Sequence, residues 1–417
     1  MACHNDDIAL DEQLEQPNGT QYSPSHTIPV VYINTTNGQN VTSKTDYIPA
    51  TFYLTGELSE HDSIGSPTAP VALTIKGRGN LTWAQEKKPY KLKFDEKISL
   101  CGLPKSKHYA LMAHIVSFTH VWLDNEMAFE MARIMGMPWA PNTVPVELVL
   151  NNEYLGVYFL SETVRIEKNR LNIFEQNDGE TNPDVIPYGW LIELDNTGGD
   201  ISFSTPANED LEFTFHSPEN LSAVQLDFIT ENLQGVIDAI YDESDPDAWT
   251  EHLDARALAQ YFIIREVLHD SDGFYGSVYL YRDKEKNAKW KFGPLWDCTL
   301  QSTDKQCYVN YDFPDQTYTT REWIKRLMHS PAFERAVREQ WSKFYTEANI
   351  DKIWDHLIEY SANLDEAFEA SNLRWQNTSV ELYDKEACLE IVKHGLYNNS
   401  RWINANLDIN DIARSYD

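Results

Sequence analysis

Asp272-Gly-Phe-Tyr-Gly-Ser-Val-Tyr-Leu-Tyr281, followed shortly by Gly293-Pro-Leu-Trp-Asp297, is the stretch on which the reading of this chain turns. It sets a carboxylate in a glycine-bearing loop, then the strand-like Val278-Tyr-Leu-Tyr281. A second short strand, Trp290-Lys-Phe292, leads to another carboxylate. Aromatic and β-branched runs bounded by Gly, Asp and Asn predict a hairpin here. Around it, 3.6-residue periodicity predicts helices over Leu226–Tyr241, Ala255–Leu268, Arg321–Met328, Pro331–Glu347, Ile350–Ser371 and Lys385–Asn406. Upstream the period is two. Strands are expected at Thr27–Ile33, Tyr47–Leu54, Val71–Lys76, Lys88–Phe94, Gly189–Asp195 and Leu211–Phe215. A hairpin joins Val144–Leu150 to Tyr154–Ser161 through Asn151-Asn152, and one helix, Asp124–Met135, interrupts the strands. Strands first and helices later make an α+β protein. The expected organisation is a flexible tether over 1–27, a β-rich part over 28–175 and a helical part over 176–417.

A chain of 417 residues with 42% hydrophobic content can bury a full core. The formal charge of -31 argues against a nucleic-acid or anionic-membrane partner. It does not exclude a nucleotide, because charges are screened beyond about 8 Å at physiological salt and a local cation cluster acts within that range. The five cysteines form no CxxC pair and no zinc-ligand spacing. Cys298 and Cys307 are near enough in sequence to bridge, and free thiols are the expectation. No apolar run reaches the roughly 20 residues needed to span a bilayer. Cys3, at the head of a polar, acidic stretch, resembles the lipid-bearing residue of a mature bacterial lipoprotein. That reading implies an exported, outer-membrane or cell-surface protein; the alternative is an ordinary polar terminus.

Asp272, Ser277 and Asp297 stand at the offsets that protein-kinase-type phosphoryl transfer gives to its catalytic base, a metal ligand and a second, metal-binding Asp. A hydroxyl occupies the middle position where an amide is expected. Lys76-Gly-Arg-Gly-Asn-Leu-Thr-Trp83 leaves a strand through two glycines, with Arg78 between them and Lys87, Lys88, Lys91 and Lys93 close behind. Glycines allow close backbone approach and the cations suit phosphate, although a Gly-x-Gly alone reads as a tight turn. In Lys88-Pro-Tyr-Lys-Leu-Lys-Phe94, Tyr90, Leu92 and Phe94 share one face and Lys91 and Lys93 the other. Glu162, closing Leu155-Gly-Val-Tyr-Phe-Leu-Ser-Glu162, is a candidate ion-pair partner for Lys91 or Lys93, or a member of a surface charge cluster.

Several of these segments together resemble the CotH family, the spore-coat-protein-H-like atypical kinases. They are Gly77-Arg-Gly-Asn-Leu-Thr-Trp83, Lys87-Lys-Pro-Tyr-Lys-Leu-Lys-Phe94, Gly156-Val-Tyr-Phe-Leu-Ser-Glu162, Asn169-Arg-Leu-Asn172, Asp272-Gly273 and Trp296-Asp297. They run in the family's order from about residue 28 to residue 400, and the chain looks most like the family's Bacteroides-type surface lipoproteins. The resemblance implies an atypical protein-kinase-like fold and transfer of the ATP γ-phosphate to Ser or Thr of an exported protein. It makes Asp272 the base and Asp297 a Mg²⁺ ligand with Ser277, with Arg78, Lys91, Lys93, Glu162 and Ser277 around ATP. The chain departs from the family pattern at Ser277 (for Asn), at Thr299 (for the second Asp of Trp-Asp-x-Asp) and at Asp124 (for the Arg of the Arg-Asn helix start), where the preceding Asp is also missing. Asp270 is a further carboxylate that stands near enough to compensate. Two other readings stay open. One is a catalytically degenerate surface module binding protein or glycan. The other is a glycoside hydrolase using Asp270 with Asp297 or Glu162, which needs carboxyls roughly 5–9.5 Å apart.

Overall fold

The structure, a computed structural model, describes residues 22–56, 65–114, 121–195, 198–206, 210–301, 306–311 and 322–416. Cys3 and most of the tether lie outside these residues, as do residues 115–120 ahead of the first long helix. The chain forms two compact units that are discontinuous in sequence: Met1–Ser117, Thr143–Ser161 and Ala362–Asp384, and Phe118–Asn142, Glu162–Ser361 and Lys385–Asp417.

In the first unit, strands β1 (Val30–Thr35), β2 (Ile48–Thr55), β3 (Val71–Gly77), β4 (Tyr90–Leu100), β5 (Leu103–Met112), β6 (Thr143–Leu150) and β7 (Glu153–Glu162) close into a barrel of order β1-β2-β3-β4-β5-β7-β6. Closure comes from parallel pairing of β1 with β6, which leaves no open edge. Alternation decides the interior. Val31 and Ile33, Phe52 and Leu54, Leu73 and Ile75, and Leu92 and Phe94 are all buried in one cluster. Each such side chain contributes about 1.5–3 kcal/mol by leaving water. The barrel differs from the expectation in that β4 runs on to Leu100, because Asp95-Glu-Lys97 are exposed strand residues, not a loop. Cys101 and Gly102, both at positive φ (51° and 79°), then turn the chain into β5. Asn151 and Asn152 do the same between β6 and β7.

A short helix, α1 (Leu81–Ala84), and a longer one, α8 (Asp365–Trp375), complete this unit. The single helix expected over Ile350–Ser371 is therefore two, α7 (Glu347–Tyr360) and α8. The break has no Gly or Pro to announce it. The buried Ser361 ends α7, its N–H donating to Leu357 O and its hydroxyl to Ile358 O. On α8, Ser371 Oγ accepts from Val157 N, Trp375 Nε1 donates to Leu155 O and Arg374 Nε to Tyr154 O. This contact buries the outer face of β7 and explains why the strand is apolar on both sides.

The second unit holds α2 (Asp124–Ile134), the antiparallel sheet β12-β11-β8-β10-β9, and helices α3 to α7, α9 and α10. Its strands are β8 (Trp190–Leu194), β9 (Ile201–Ser204), β10 (Asp210–Ser217), β11 (Val278–Arg282) and β12 (Lys291–Phe292). The helices are α3 (Ala223–Ile240), α4 (Ala255–Val267), α5 (Glu322–Met328), α6 (Pro331–Phe344), α9 (Lys385–Ala405) and α10 (Ile409–Tyr416), the last not foreseen from the sequence. Every residue of α4 from Ala257 to Val267 is buried, the pattern of a helix surrounded on all sides. It packs against α2, α6, α9 and β12. The sheet and α4 together position the loops that carry the acidic residues.

Gly156 tests the β7–α8 contact. It holds φ +82°, and a Cβ there would come within 2.3 Å of Ser371 Oγ. Gly156→Val is expected to cost about 3 kcal/mol or more through strain plus overpacking. Gly102→Ala, at φ +79° with nothing within 4 Å, should cost only about 1–2 kcal/mol. Urea denaturation of the two variants checks the ranking.

Candidate functional site

The site grows from the end of α4. Arg265, in its last turn, is fully buried, and Asp270 lies beyond the helix in the following turn. Arg265 Nη1 donates to Asp270 Oδ2 at 2.5 Å, and the same guanidinium donates to Trp296 O (2.9 Å) and Asp297 O (3.3 Å). Asp270 Oδ2 also accepts from Thr299 N, and Oδ1 from Asp272 N, both at 3.2 Å. Burial pushes the Asp270 carboxyl above its ordinary range, and the Arg265 guanidinium pulls it back. One buried ion pair thus fastens the loop bearing Asp272 to the loop bearing Asp297. Gly273 is required by the same packing, because a Cβ there would lie 2.9 Å from the Arg265 stem. Tyr261 Oη donates to Gly273 O from beneath.

A second clamp comes from α2. The Asn125 side chain donates to Cys298 O (3.2 Å) and accepts from Cys298 N (3.1 Å), pairing with the backbone as a strand neighbour would. Between the two clamps Asp297 holds φ +50°, a left-handed conformation uncommon for a non-glycine residue, and its side chain is exposed. Asp124, next to Asn125, is buried. Its carboxyl is pushed up to about 7 by burial, with hydrogen bonds from Asn125 opposing and the charges of Asp297 and Asp270 adding to the rise. Asp124, Asp270 and Asp297 therefore share one negative locus in which Arg265 is the cation. Cys298 and Cys307 are free and buried, and burial lifts the Cys298 thiol to about 12.

The residues expected at the site sort as follows. Asp272 is exposed in the turn after α4, and Ser277, at φ +54°, opens β11. Both belong with Asp297 to the second unit, and Asp272 is joined to it through Asp270. Asp270 itself is not a spare ligand, since both of its oxygens are engaged and it is sealed from solvent. Glu162 is fully buried too. Asn142 donates to its Oε2 from N (3.1 Å) and Nδ2 (2.7 Å), and Arg170 Nε lies 3.6 Å from Oε1. The cation beside it is thus Arg170, from the Asn169-Arg-Leu-Asn172 segment. Neither Asp270 nor Glu162 faces solvent, so neither offers the open second carboxyl that glycoside hydrolysis needs beside Asp297. Among the described residues no group of three or more His, Cys, Asp or Glu is arranged to hold a metal ion. Asp297 fits a Mg²⁺ whose remaining ligands are substrate phosphates and water, which is how Mg²⁺ is commonly held.

In the first unit, Lys91 pairs with Lys76 and Ala110, and Lys93 with Thr74 and His108, on the outer face of β4. Lys93 is exposed and Lys91 half-buried. Lys76 Nζ stands 4.7 Å from the Tyr47 ring centre, and Lys93 Nζ 5.9 Å. Arg78 lies against Met112, between glycines that packing explains: a Cβ on Gly77 would enter the Trp83 ring, and one on Gly79 would lie 2.1 Å from Thr82 Oγ1. The buried cation of this unit is Lys87, which the sequence reading had grouped with its surface neighbours. Its ammonium donates to Tyr383 Oη (3.1 Å) and lies over the Tyr383 and Tyr158 rings at 4.7 and 5.1 Å. Burial pushes Lys87 down to about 7, and burial together with the Lys87 charge takes His114 down to about 4. A basic group isolated among phenols leaves no periodic trace, so only its place in the Lys87-Lys-Pro-Tyr90 motif could have flagged it.

The family model described as CotH kinase protein matches residues 75–405, from β3 to the end of α9. The chain belongs to the CotH family. The match covers both clamps, the Asp272 and Asp297 loops and the Lys87 cage. No curated protein matches the chain. Asp124 and Asn125, at the start of α2, lie within the matched span.

Two measurements test this geometry. Asp270→Ala strands the Arg265 charge in the interior and should cost about 3–5 kcal/mol in urea denaturation, with part recovered in the Asp270→Ala/Arg265→Met double variant. Lys87 binds a proton in the unfolded chain up to pH 10.5 but in the folded chain only up to about 7. Between those values the unfolded state holds more protons, so the Lys87 contribution to stability rises with pH, by at most about 1.4 kcal/mol per unit. The stability of the wild type relative to Lys87→Met should therefore increase from pH 7 to 10 and be flat below 7.

Proposed function

We propose that this CotH-family chain is an atypical protein kinase that transfers the ATP γ-phosphate to Ser or Thr of an exported protein. The β-barrel unit and the helical unit are read as the counterparts of the two lobes of a kinase-like fold. One observation carries the reading: two exposed carboxylates, Asp272 and Asp297, stand on loops joined by one buried Arg265–Asp270 pair. In this reading Asp272 accepts the proton of the acceptor hydroxyl, and Asp297 would hold Mg²⁺, with Ser277 nearby as a neutral oxygen ligand. Bound Mg²⁺ supplies charge neutralisation at the β- and γ-phosphates. Arg265 and Asn125 hold the Asp297 backbone so that the carboxylate needs no reorganisation on binding. Arg78, Lys91 and Lys93 are proposed for the phosphates, as the family resemblance implies.

A second reading is favoured by a separate observation. Thr299 stands where the family pattern has a carboxylate, and its N–H is committed to Asp270. A loop with one exposed carboxylate offers Mg²⁺ fewer charged ligands, as in a degenerate module that binds protein or glycan without phosphorylating it. Radiolabel transfer from γ-labelled ATP, read together with the thermal shift caused by Mg·ATP, separates the two. The kinase reading expects both signals in the wild type and neither in Asp297→Ala. It also expects Asp272→Asn to keep the shift while losing about 10²–10⁴-fold in transfer. Label undiminished in Asp297→Ala would sink it, and a wild type with neither signal leaves the binding module standing.

A further inference from the structure

We propose that the outer face of α9 carries a binding site for an acidic sugar, a pyranose bearing a carboxylate, separate from the acidic locus at Asp297. An open surface depression of about 490 Å³ is lined there by Gln306, His394, Asn398, Arg401 and Trp402. Four of the five stand at i, i+4, i+7 and i+8 along one helix, so they share a face by helical geometry and do not depend on a loop to assemble them. The volume is within the range of small-molecule sites, about 300–1,000 Å³.

The chemistry of the lining is specific. Arg401 is exposed and forms no ion pair among the described residues, in a chain that carries 65 acidic residues against 34 Lys and Arg. Its guanidinium instead stands 5.7 Å from the Tyr397 ring centre. The neighbouring carboxylate of Asp351 accepts from Tyr397 Oη. On so acidic a surface an unpaired guanidinium next to a histidine is a local attraction for an anion, and its fork matches a carboxylate in bidentate fashion. Trp402 is half-buried and fixed edge-on against Tyr308, with ring centres 5.0 Å apart. A rigid indole bordering a polar cleft provides an apolar surface for the C–H face of a pyranose. The side chains of His394 and Asn398 make no hydrogen bond within the described residues, and Gln306 reaches Asn399 at 3.4 Å, the long end of the range. The Asn398 amide and the His394 imidazole can thus meet ring hydroxyls, and the Gln306 amide is held only by its long bond to Asn399. A bare anion would use Arg401 and leave Trp402 and the amides without a role, and a neutral sugar would leave Arg401 without one.

The test uses the full chain at about 0.15 M salt, where the long-range repulsion of its net charge is screened. Isothermal titration with D-glucuronate is expected to give a dissociation constant of order 1 mM, typical of a single small ligand. D-Glucose and sodium acetate should each bind at least about 10-fold more weakly, since each satisfies half of the site. Arg401→Gln, an exposed change, should weaken glucuronate about 10-fold or more with an unchanged melting temperature, and Asn398→Ala by a smaller factor. Acetate binding as well as glucuronate would mean an adventitious anion and overturn the proposal. So would glucose binding equally well, or glucuronate affinity unaltered in Arg401→Gln. Mg·ATP labelling is not part of the readout, so the result stands apart from the phosphotransfer reading.

Discussion

The Arg265–Asp270 pair is the interaction on which the second unit's acidic loops depend. Both groups are sealed from water, and a buried ion pair is held only where its remaining donors and acceptors are satisfied. Here they are. The guanidinium reaches two backbone carbonyls of the Asp297 loop, and the carboxylate takes two backbone N–H groups, one from each loop. The pair converts two irregular segments, which would otherwise carry unpaired backbone, into a braced platform. Gly273, which makes room for the guanidinium, and Tyr261, on the buried Ala257–Val267 run of α4, serve the same arrangement.

The two units solve the problem of a buried charge in opposite ways. Arg265 is neutralised by a carboxylate, and it keeps its charge. Among the described residues Lys87 has only a phenol and two aromatic faces, so burial wins and its proton is held loosely near neutrality. Asp124 is a third case. It is buried beside like charges and drawn up to about 7, which makes the neighbourhood of Asp297 more negative or less so according to the proton it carries.

Much of this was legible in the chain. An apolar β-branched run located β1, alternation located β4 and the Asn151-Asn152 turn located the β6–β7 hairpin, and the glycine, lysine and aspartate motifs pointed to the family that the comparison then supported. The errors have particular causes. The expected strand stopped at Phe94 because the alternation ends there, at three successive charged residues, Asp95-Glu-Lys97. The α7–α8 break was invisible because Ser361 ends a helix by side-chain and backbone hydrogen bonds, without Gly or Pro. Glu162 was left open between Lys91 or Lys93 and a surface charge cluster because charge alone does not name a partner; in the fold it is buried with Arg170 3.6 Å away.

The sequence by itself determined the order of strands and helices, the acidic character and the motif spacing that sets Asp272 and Asp297 on successive loops. These are local or compositional properties, encoded in periodicity and in residue type. Tertiary structure alone decided that the strands close into a barrel, that Lys87 and not Lys91 is the buried cation, and that Asp270 braces the site without opening onto it. Those outcomes turn on which groups lose their water together, and burial depends on contacts between residues far apart in the chain.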